Sequence, residues 1–131
     1  MKHRRFAVRV FVFCFALLFF FGCDSSEAKF IKNSQLSELI DEHKCIKVVD
    51  VRNPYELEGN LGKIEGSVNV PLKNIDTDIE KHVPNKNTYV VLVCRTHNRS
   101  QAAYHKLKEK GYTNLYVLLG GMVEHAKKHN D

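Results

Sequence analysis

The sequence predicts an α/β domain whose central sheet is mainly parallel and carries helices on both faces. The run from residue 89 to residue 93 is apolar without alternation, a pattern typical of a parallel strand that is covered on both sides. From Phe30 onward, short apolar runs alternate with segments of helical periodicity, and this alternation favours strand–helix–strand connections. The 131 residues suffice for one such domain and a targeting segment, but not for two domains.

The first half of the domain predicts two helices and two strands. Apolar residues three and four positions apart predict a helix from residue 33 or 34 to about residue 43, with an Asn or Ser as its cap. Residues 46–51 are rich in Val and Ile and predict a strand. Proline suits a first helical turn, so Pro54 predicts a short helix. Residues 67–70 predict another short strand, which Pro71 ends.

The second half predicts two helices and a strand beyond the central one, after a broken helix over residues 72–80. Ala and Leu at helical spacing predict a helix over residues 100–110, and Gly111 supplies its C-terminal stop. Residues 115–118 predict the last strand. Gly120 and Gly121 then turn the chain into a final helix that ends near residue 129.

The first 22 residues belong to a different physical regime. They contain seven of the eight phenylalanines and a positively charged start (Lys2, Arg4, Arg5 and Arg9). An apolar run of 12 residues follows at positions 10–21. A membrane-spanning helix needs about 20 residues, so this run fits the hydrophobic region of a secretory signal peptide better.

The end of the apolar run resembles the lipobox of bacterial lipoproteins, because Gly22 stands directly before Cys23. The resemblance implies that Cys23 is the lipid attachment site and becomes the mature N-terminus. The predicted division of the chain is a signal peptide at 1–22, a tether at 23–29 and the domain at 30–131. An uncleaved anchor over residues 6–22 is the alternative. Both interpretations predict a cell-envelope protein that is held to the outer side of the cytoplasmic membrane.

The net charge of +5 comes mainly from the leader, which holds four of the 20 Lys and Arg residues. The remaining 16 basic residues stand against 15 acidic ones. This near balance gives no support for nucleic-acid binding, which needs a basic face on the folded domain.

Cys94 is the strongest candidate for chemistry, because it lies between the central strand and the helix predicted after it. Ligands of open parallel sheets collect at the carboxyl ends of the strands. The positive potential of a helix N-terminus favours the thiolate, which is the nucleophilic form of cysteine. Arg95 and Arg99 add positive charge that favours the same form and attracts anionic substrates.

Several motifs, in order along the chain, resemble the rhodanese family. Residues 94–100 resemble its active-site loop C-x-x-G-x-R-S, and Asp50-Val51-Arg52 with Glu56 resembles its D-V-R…E segment. The other similar segments are residues 62–71, 111–116 and 120–122. Together the similarity covers roughly residues 30–129 and implies a single rhodanese-like domain.

The resemblance implies a thiosulfate-type sulfurtransferase in which Cys94 is the catalytic residue and carries a persulfide. The implied partners are a small anionic sulfur donor and a thiol or cyanide-like acceptor, which includes a sulfur-accepting protein. No metal or organic cofactor is implied. The implied substrate-binding residues are Arg95, Thr96, His97, Asn98, Arg99 and Ser100. His97 stands where the family commonly has glycine, and its imidazole either narrows the pocket or acts on protons.

Two other functions remain open at this stage. A non-catalytic carrier of sulfane sulfur, or an interaction module with this fold, has the same motifs without turnover. A phosphatase or arsenate reductase shares the cysteine-loop chemistry, but resembles C-x5-R, whereas Cys94 and Arg99 form C-x4-R. The shorter loop makes a smaller cradle, which disfavours a phosphoryl group.

Structural explanations compete with functional ones for several residues. Arg52 is expected to form an ion pair with Asp50 or Glu56, and Arg99 can likewise pair with a loop carbonyl or a carboxylate. Cys45 is expected to be a packed thiol, with a disulfide to Cys94 as the alternative in an oxidising compartment. Histidines without metal-ligand spacing are expected at the surface; these are His43, His82, His105, His125 and His129.

Overall fold

The computed structural model describes residues 27–43 and 45–128, and within them five parallel strands form one sheet. The strands in chain order are β1 (Phe30–Ile31), β2 (Ile46–Asp50), β3 (Val68–Asn69), β4 (Tyr89–Val93) and β5 (Leu115–Leu118). Their lateral order is β1-β5-β4-β2-β3, with every adjacent pair parallel. The predicted signal peptide, which contains Cys14, lies outside the described residues, as do Cys23 of the predicted tether and His129.

Helices cover both faces of this sheet, as the sequence predicts. They are α1 (Asn33–Glu42), α2 (Pro54–Leu57), α3 (Ile75–His82), α4 (Asn98–Glu109) and α5 (Gly121–Lys128), with a 3₁₀ turn at Leu72–Asn74. The 3₁₀ turn followed by α3 is the broken helix predicted for that region. In the part of the chain that the structure describes, no helix is long and apolar enough to cross a membrane.

The burial of the central strand β4 on both faces explains why its sequence does not alternate between apolar and polar residues. Val90 and Leu92 belong to the hydrophobic cluster that includes residues of α3 and α4, whereas Val91 and Val93 belong to the cluster that includes residues of α1 and α5. All four side chains are fully buried, and each contributes about 1.5–3 kcal/mol of hydrophobic stabilisation. Both faces of the strand therefore require apolar residues.

The first strand, β1, is absent from the sequence prediction. It has two residues and pairs with β5, where Phe30 lies opposite Val117. The backbone N–H of Leu119 donates to the carbonyl of Ile31 at 2.8 Å, which continues the pairing beyond the strand. Ala28 is already buried in the core. So short an edge strand has no periodicity of its own, and only tertiary packing defines it.

The C-terminal end of α4 confirms the predicted glycine stop. Gly111 adopts a positive φ of 91°, and the N–H of Tyr112 donates to the carbonyl of Leu107 at 3.0 Å. The buried Tyr112 hydroxyl donates to the carbonyl of Val83 at 2.7 Å. The same helix begins at Asn98, two residues before the predicted start, so its first turn contains part of the predicted active-site loop.

Candidate active site

Cys94 lies at the carboxyl edge of the sheet, where the sequence places it. It follows the last residue of β4 and is 1% exposed. The segments that follow β2 and β5 meet it at this edge, because parallel strands end on the same side of the sheet. Two more N-terminal helix ends, those of α2 and α5, reach the same edge.

The loop after Cys94 is held from behind by the N-terminus of α5. The N–H of Met122 donates to the carbonyl of Cys94 at 2.9 Å, and the N–H of Val123 donates to the carbonyl of Arg95 at 3.0 Å. A side chain on Gly121 would collide with the carbonyl oxygens of Cys94 and Thr96. Gly121 is therefore required for this close approach, and it also has a positive φ of 56°.

Because the carbonyls of Cys94 and Arg95 point toward α5, N–H groups line the other side of the loop and form a cradle. The C=O and N–H of a trans peptide point in opposite directions, so the N–H groups of Arg95 and Thr96 point away from α5. In the described part of the chain, the backbone N–H groups of residues 95–100 have no hydrogen-bond partner. Together with the N-terminal end of α4, they form a positive site for an anion.

Two buried side-chain atoms in the same segment also lack partners within the described residues. They are the hydroxyl oxygen of Ser100, whose residue is fully buried, and Nδ1 of His97. Buried polar atoms are almost always hydrogen-bonded in folded proteins. Their location in the cradle makes both atoms available to a molecule bound there.

Arg99 forms a bidentate ion pair with Glu56. Its two terminal nitrogens donate to the two carboxylate oxygens at 2.7 and 2.8 Å. The hydrogen bond from Arg99 lowers the pKa of Glu56 to about 2, against partial opposition from burial. The pKa of Arg99 is raised, chiefly by that same hydrogen bond and to a smaller extent by attraction to Cys94. Arg99 therefore places positive charge near the thiol, but its donors are occupied by α2.

Arg52 forms the predicted ion pair with Asp50, and both residues are 1% exposed. The guanidinium donates to both carboxylate oxygens and, at 2.7 Å, to the carbonyl of Gly62. Its other terminal nitrogen donates to the carbonyl of Glu56 at 3.3 Å. Arg52 therefore fixes the segment between α2 and β3 against the end of β2, which confirms a structural role.

Arg95 differs from both, because its guanidinium forms no ion pair or hydrogen bond within residues 27–43 and 45–128. It is exposed and borders a pocket of about 300 Å³. The other lining residues of this pocket are Arg52, Tyr55, Glu56, Gly59, Asn60 and Leu61. Of the two arginines expected to bind an anion, Arg95 is thus the one whose charge is available.

His97 fits the loop without the backbone freedom of glycine. Its φ is −161°, in the extended region, and no described residue other than glycine has a positive φ. The backbone at position 97 is therefore in a conformation that any residue adopts. The imidazole meets the ring of Phe30 edge-to-face at 5.8 Å, so it occupies space at the rim of the cradle. Asn98 and Thr96 are exposed at the same rim.

Some expected structural roles require correction. Cys45 is exposed rather than packed. It precedes β2 at the amino edge of the sheet, whereas Cys94 follows β4 at the carboxyl edge. Five strand residues at about 3.3 Å each separate these edges, far beyond the reach of a disulfide. Both cysteines are free.

Histidines divide into two groups. His82 and His105 are exposed, as expected. His43 instead stacks on Tyr89 at 3.8 Å, and His125 is half-buried with Nδ1 2.8 Å from Oδ1 of Asn33. In the described ranges, no three His, Cys, Asp or Glu residues come together in a way that could hold a metal ion.

Two features of the candidate site were not predicted from the sequence. One is the partnership of Glu56 with Arg99, which are 43 positions apart, although the occurrence of Glu56 within a recognised motif was a signal. The other is the pocket beside Arg95, which Tyr55 and Leu61 complete from a different element. No local pattern indicates that these segments meet.

Comparison with known proteins places these features in a family. The family model of the Rhodanese-like domain matches residues 32–128. An uncharacterized protein of Buchnera aphidicola is 32% identical over 123 residues, which cover 88% of this chain and 80% of that protein. The structure of an E. coli rhodanese with anions is similar with a TM-score of 0.55 at 32% identity, over 60% of this chain and 89% of that one.

Other relatives are longer proteins. A tRNA uridine(34) hydroxylase of Prochlorococcus marinus is 31% identical over 104 residues, which cover 73% of this chain and 33% of the hydroxylase. The chain therefore spans about a third of the length of the curated hydroxylases it matches.

Proposed function

Because the chain belongs to the rhodanese-like domain family, we propose that it is a sulfurtransferase that carries sulfane sulfur as a persulfide on Cys94. The observation that carries the proposal is the position of Cys94 before a loop whose carbonyls accept hydrogen bonds from α5 and whose N–H groups have no partner among the described residues. Such a cradle stabilises the negative charge of a thiolate, of an incoming anion and of a persulfide.

The first half-reaction is an attack of the Cys94 thiolate on the outer sulfur of thiosulfate or a related donor. A new S–S bond forms to Cys94, and the S–S bond of the donor breaks with its electron pair leaving on sulfite. The N–H groups of residues 95–100 and the hydroxyl of Ser100 supply donors to the transferred sulfur. Arg95 attracts the oxyanion of the donor, since Arg99 is paired with Glu56.

The second half-reaction returns the sulfur to a thiophilic acceptor. A thiolate or cyanide attacks the outer sulfur of the Cys94 persulfide, and the electron pair of the broken S–S bond returns to Cys94. Splitting the transfer into two displacements is ordinary covalent catalysis. The chain's own residues supply every group in this scheme, so neither a metal nor an organic cofactor takes part in it.

The geometry disfavours phosphoryl chemistry. A phosphatase loop needs an arginine that is free to clasp the phosphoryl oxygens, and both terminal nitrogens of Arg99 are occupied by Glu56. The hydroxylase activity in the name of the longer relatives belongs to proteins of which this chain matches a third. The near-neutral charge of the sequence after the leader gives no support for an RNA substrate.

The test is thiocyanate formation from thiosulfate and cyanide by the full chain in detergent, with intact mass as a second measurement. We expect turnover and a mass increase of one sulfur atom in the unmodified protein and in Cys45→Ala, whose exposed thiol lies at the opposite edge. We expect neither in Cys94→Ala. A folded, reduced chain that forms no adduct would refute the proposal. An adduct that discharges only to a protein thiol would identify a carrier instead.

We further propose that the chain works in the cell envelope, held to the membrane by its leader. The proposal rests on the basic start, the 12-residue apolar run and Cys23 after Gly22. A single acyl chain binds a membrane only marginally. The several acyl chains of a bacterial lipoprotein, attached at Cys23, would therefore keep the domain at the membrane surface.

A further inference from the structure

Two partly exposed apolar side chains lie on the edge of the sheet that β1 forms. Phe30, the one phenylalanine beyond the leader, is 40% exposed, and Leu119, which follows β5, is 42% exposed. The N–H of Leu119 donates to the carbonyl of Ile31, so both belong to paired segments of this edge. Leu119 also lines a depression of about 370 Å³ together with Lys32. We define the β1-edge surface as Lys29, Phe30, Lys32 and Leu119.

The two lysines of this surface flank the exposed phenylalanine. Lys29 and Lys32 are exposed, and neither ammonium group has a carboxylate partner among the described residues. The exposed carboxylate of Glu27 precedes them, and that of Glu124, at the same depression, is paired with Lys127 at 2.7 Å. A lysine stem can lie along an apolar layer while its ammonium group reaches a phosphate. The β1-edge surface therefore has the composition of a contact with a lipid interface.

The place where the leader meets the domain brings this surface close to lipid. Phe30 is seven residues after Cys23, and seven residues span at most about 25 Å in any conformation. A domain of about 100 residues has a radius of gyration of about 13 Å, so its far side lies beyond this reach. An uncleaved anchor that ends at Gly22 sets nearly the same limit. The β1 edge is therefore the part of the domain that the tether keeps nearest to the bilayer.

The β1-edge surface adjoins the active-site loop. The ring of Phe30 meets the imidazole of His97 edge-to-face at 5.8 Å. Since β1 pairs with Val117 and Leu118, the last two residues of β5, it lies at the carboxyl edge of the sheet. Cys94 lies at the same edge, after the last residue of β4. A bilayer in contact with this surface is therefore next to the N–H cradle.

We propose that the β1-edge surface rests on the phospholipid bilayer that holds the leader. Phe30 and Leu119 lie at the boundary of the acyl chains, and Lys29 and Lys32 lie against the phosphates. The inference rests on the membrane attachment proposed above and adds an orientation to it. Such surfaces bind an interface through apolar burial and attraction to anionic lipids. Two apolar side chains bind weakly by themselves, but a short tether supplies a high effective concentration.

The test uses tryptophan fluorescence, because the chain contains no tryptophan of its own. The full chain is reconstituted into vesicles of phosphatidylcholine with about one quarter phosphatidylglycerol, and attachment is checked by flotation. Matched vesicles carry brominated acyl chains, which quench a tryptophan only at close range. We expect quenching of roughly twofold in Phe30→Trp and in Leu119→Trp, since interfacial side chains are buried by about 5–10 Å.

Ile40→Trp is the matched control, because Ile40 is 43% exposed, as much as the two test positions. It lies seven residues after Asn33, the first residue of α1, and thus about 10 Å along the helix away from β1. We expect bromine to leave its fluorescence unchanged. Circular dichroism shows whether each variant is folded.

The contribution of the lysines is tested in the Phe30→Trp chain. Replacing both Lys29 and Lys32 by Gln should shift the equilibrium away from the docked state by about fivefold for each lysine. Quenching should then fall to the level seen in vesicles without phosphatidylglycerol. Lys47→Gln with Lys108→Gln is the control for the same change of charge, because both lysines are exposed and lie outside the β1-edge surface. This control should be quenched like the parent.

Equal quenching of the Phe30→Trp and Ile40→Trp chains would overturn the proposal. A blue shift that rises with protein concentration and ignores bromine would also overturn it, and would identify a second copy of the chain as the occupant. Thiocyanate formation by the same samples separates this inference from the proposed sulfur transfer. Quenching without any persulfide on Cys94 would refute the transfer and retain the surface, whereas turnover with equal quenching would do the reverse. A chain that does not float with the vesicles would refute both the attachment and the orientation.

Discussion

Replacing Glu56 by Gln removes the charge of one partner in the ion pair that joins α2 to the active-site loop. A pKa of about 2 in the folded chain, against the ordinary 4.5, corresponds to about 3 kcal/mol. Since the Arg99 side chain is 33% exposed, solvent screening reduces this figure. We expect Glu56→Gln to lower the free energy of unfolding by about 1–2 kcal/mol at neutral pH.

The same pair makes a specific contribution to the pH dependence of stability. The pKa of Glu56 is lower in the folded chain than in the unfolded chain, so the unfolded chain binds its proton first as the pH falls. The contribution of Glu56 is therefore complete above pH 4.5 and is lost as the pH falls toward about 2. Glu56→Gln lacks this dependence, so its deficit relative to the unmodified chain should shrink across that interval.

Urea unfolding followed by circular dichroism, on a chain that begins at Asp24, measures this deficit at about pH 7 and at about pH 3. Glu58→Gln is the control, because Glu58 is exposed at the end of α2 and forms no ion pair within the described residues. A deficit in Glu56→Gln that stays constant between the two conditions would refute the assignment of the lowered pKa to the bond with Arg99.

Three further outcomes are expected. Gly121→Ala should abolish sulfur transfer and cost about 1–3 kcal/mol of stability, because the new Cβ collides with the loop carbonyls. Gly111→Ala strains a residue of positive φ at the other end of α4, so it should lower stability without abolishing transfer, and equal loss of transfer in the two variants would contradict the packing argument. Ser100→Ala should raise the free energy of unfolding by about 1 kcal/mol, since it removes a buried hydroxyl without a partner. It should also slow persulfide formation, and loss of stability in urea unfolding would count against this reading. Cys23→Ala should release the chain from membrane fractions and remove a lipid-sized mass, and unchanged fractionation and mass would instead favour an uncleaved anchor.

The strands and helices around the sheet could be predicted from local patterns. The unbroken apolar run of β4 predicts its burial on two faces, and Gly111 predicts the end of α4. These signals lie within a few residues of the feature they describe. Errors of one or two residues, as at the start of α4, arise because a helix end depends on how its unpaired backbone groups are satisfied, and residue type records this only in part.

Features that depend on contacts between distant segments could not be predicted in the same way. The two residues of β1 acquire strand geometry only by pairing with β5. Cys45 directly precedes β2, whose later residues are buried, but Cys45 itself is exposed to solvent. Burial is a property of the assembled layers, so residue type alone did not decide it.

The active site shows the same division. The sequence by itself determined that a cysteine lies between a central strand and a helix and is followed by two arginines. Only the tertiary structure decided which arginine is available, because Glu56 of α2 pairs with Arg99, whereas Arg95 has no carboxylate partner among the described residues. The physical reason is that a charge is neutralised by whatever lies within a few ångströms in space, whereas a motif records only neighbours along the chain.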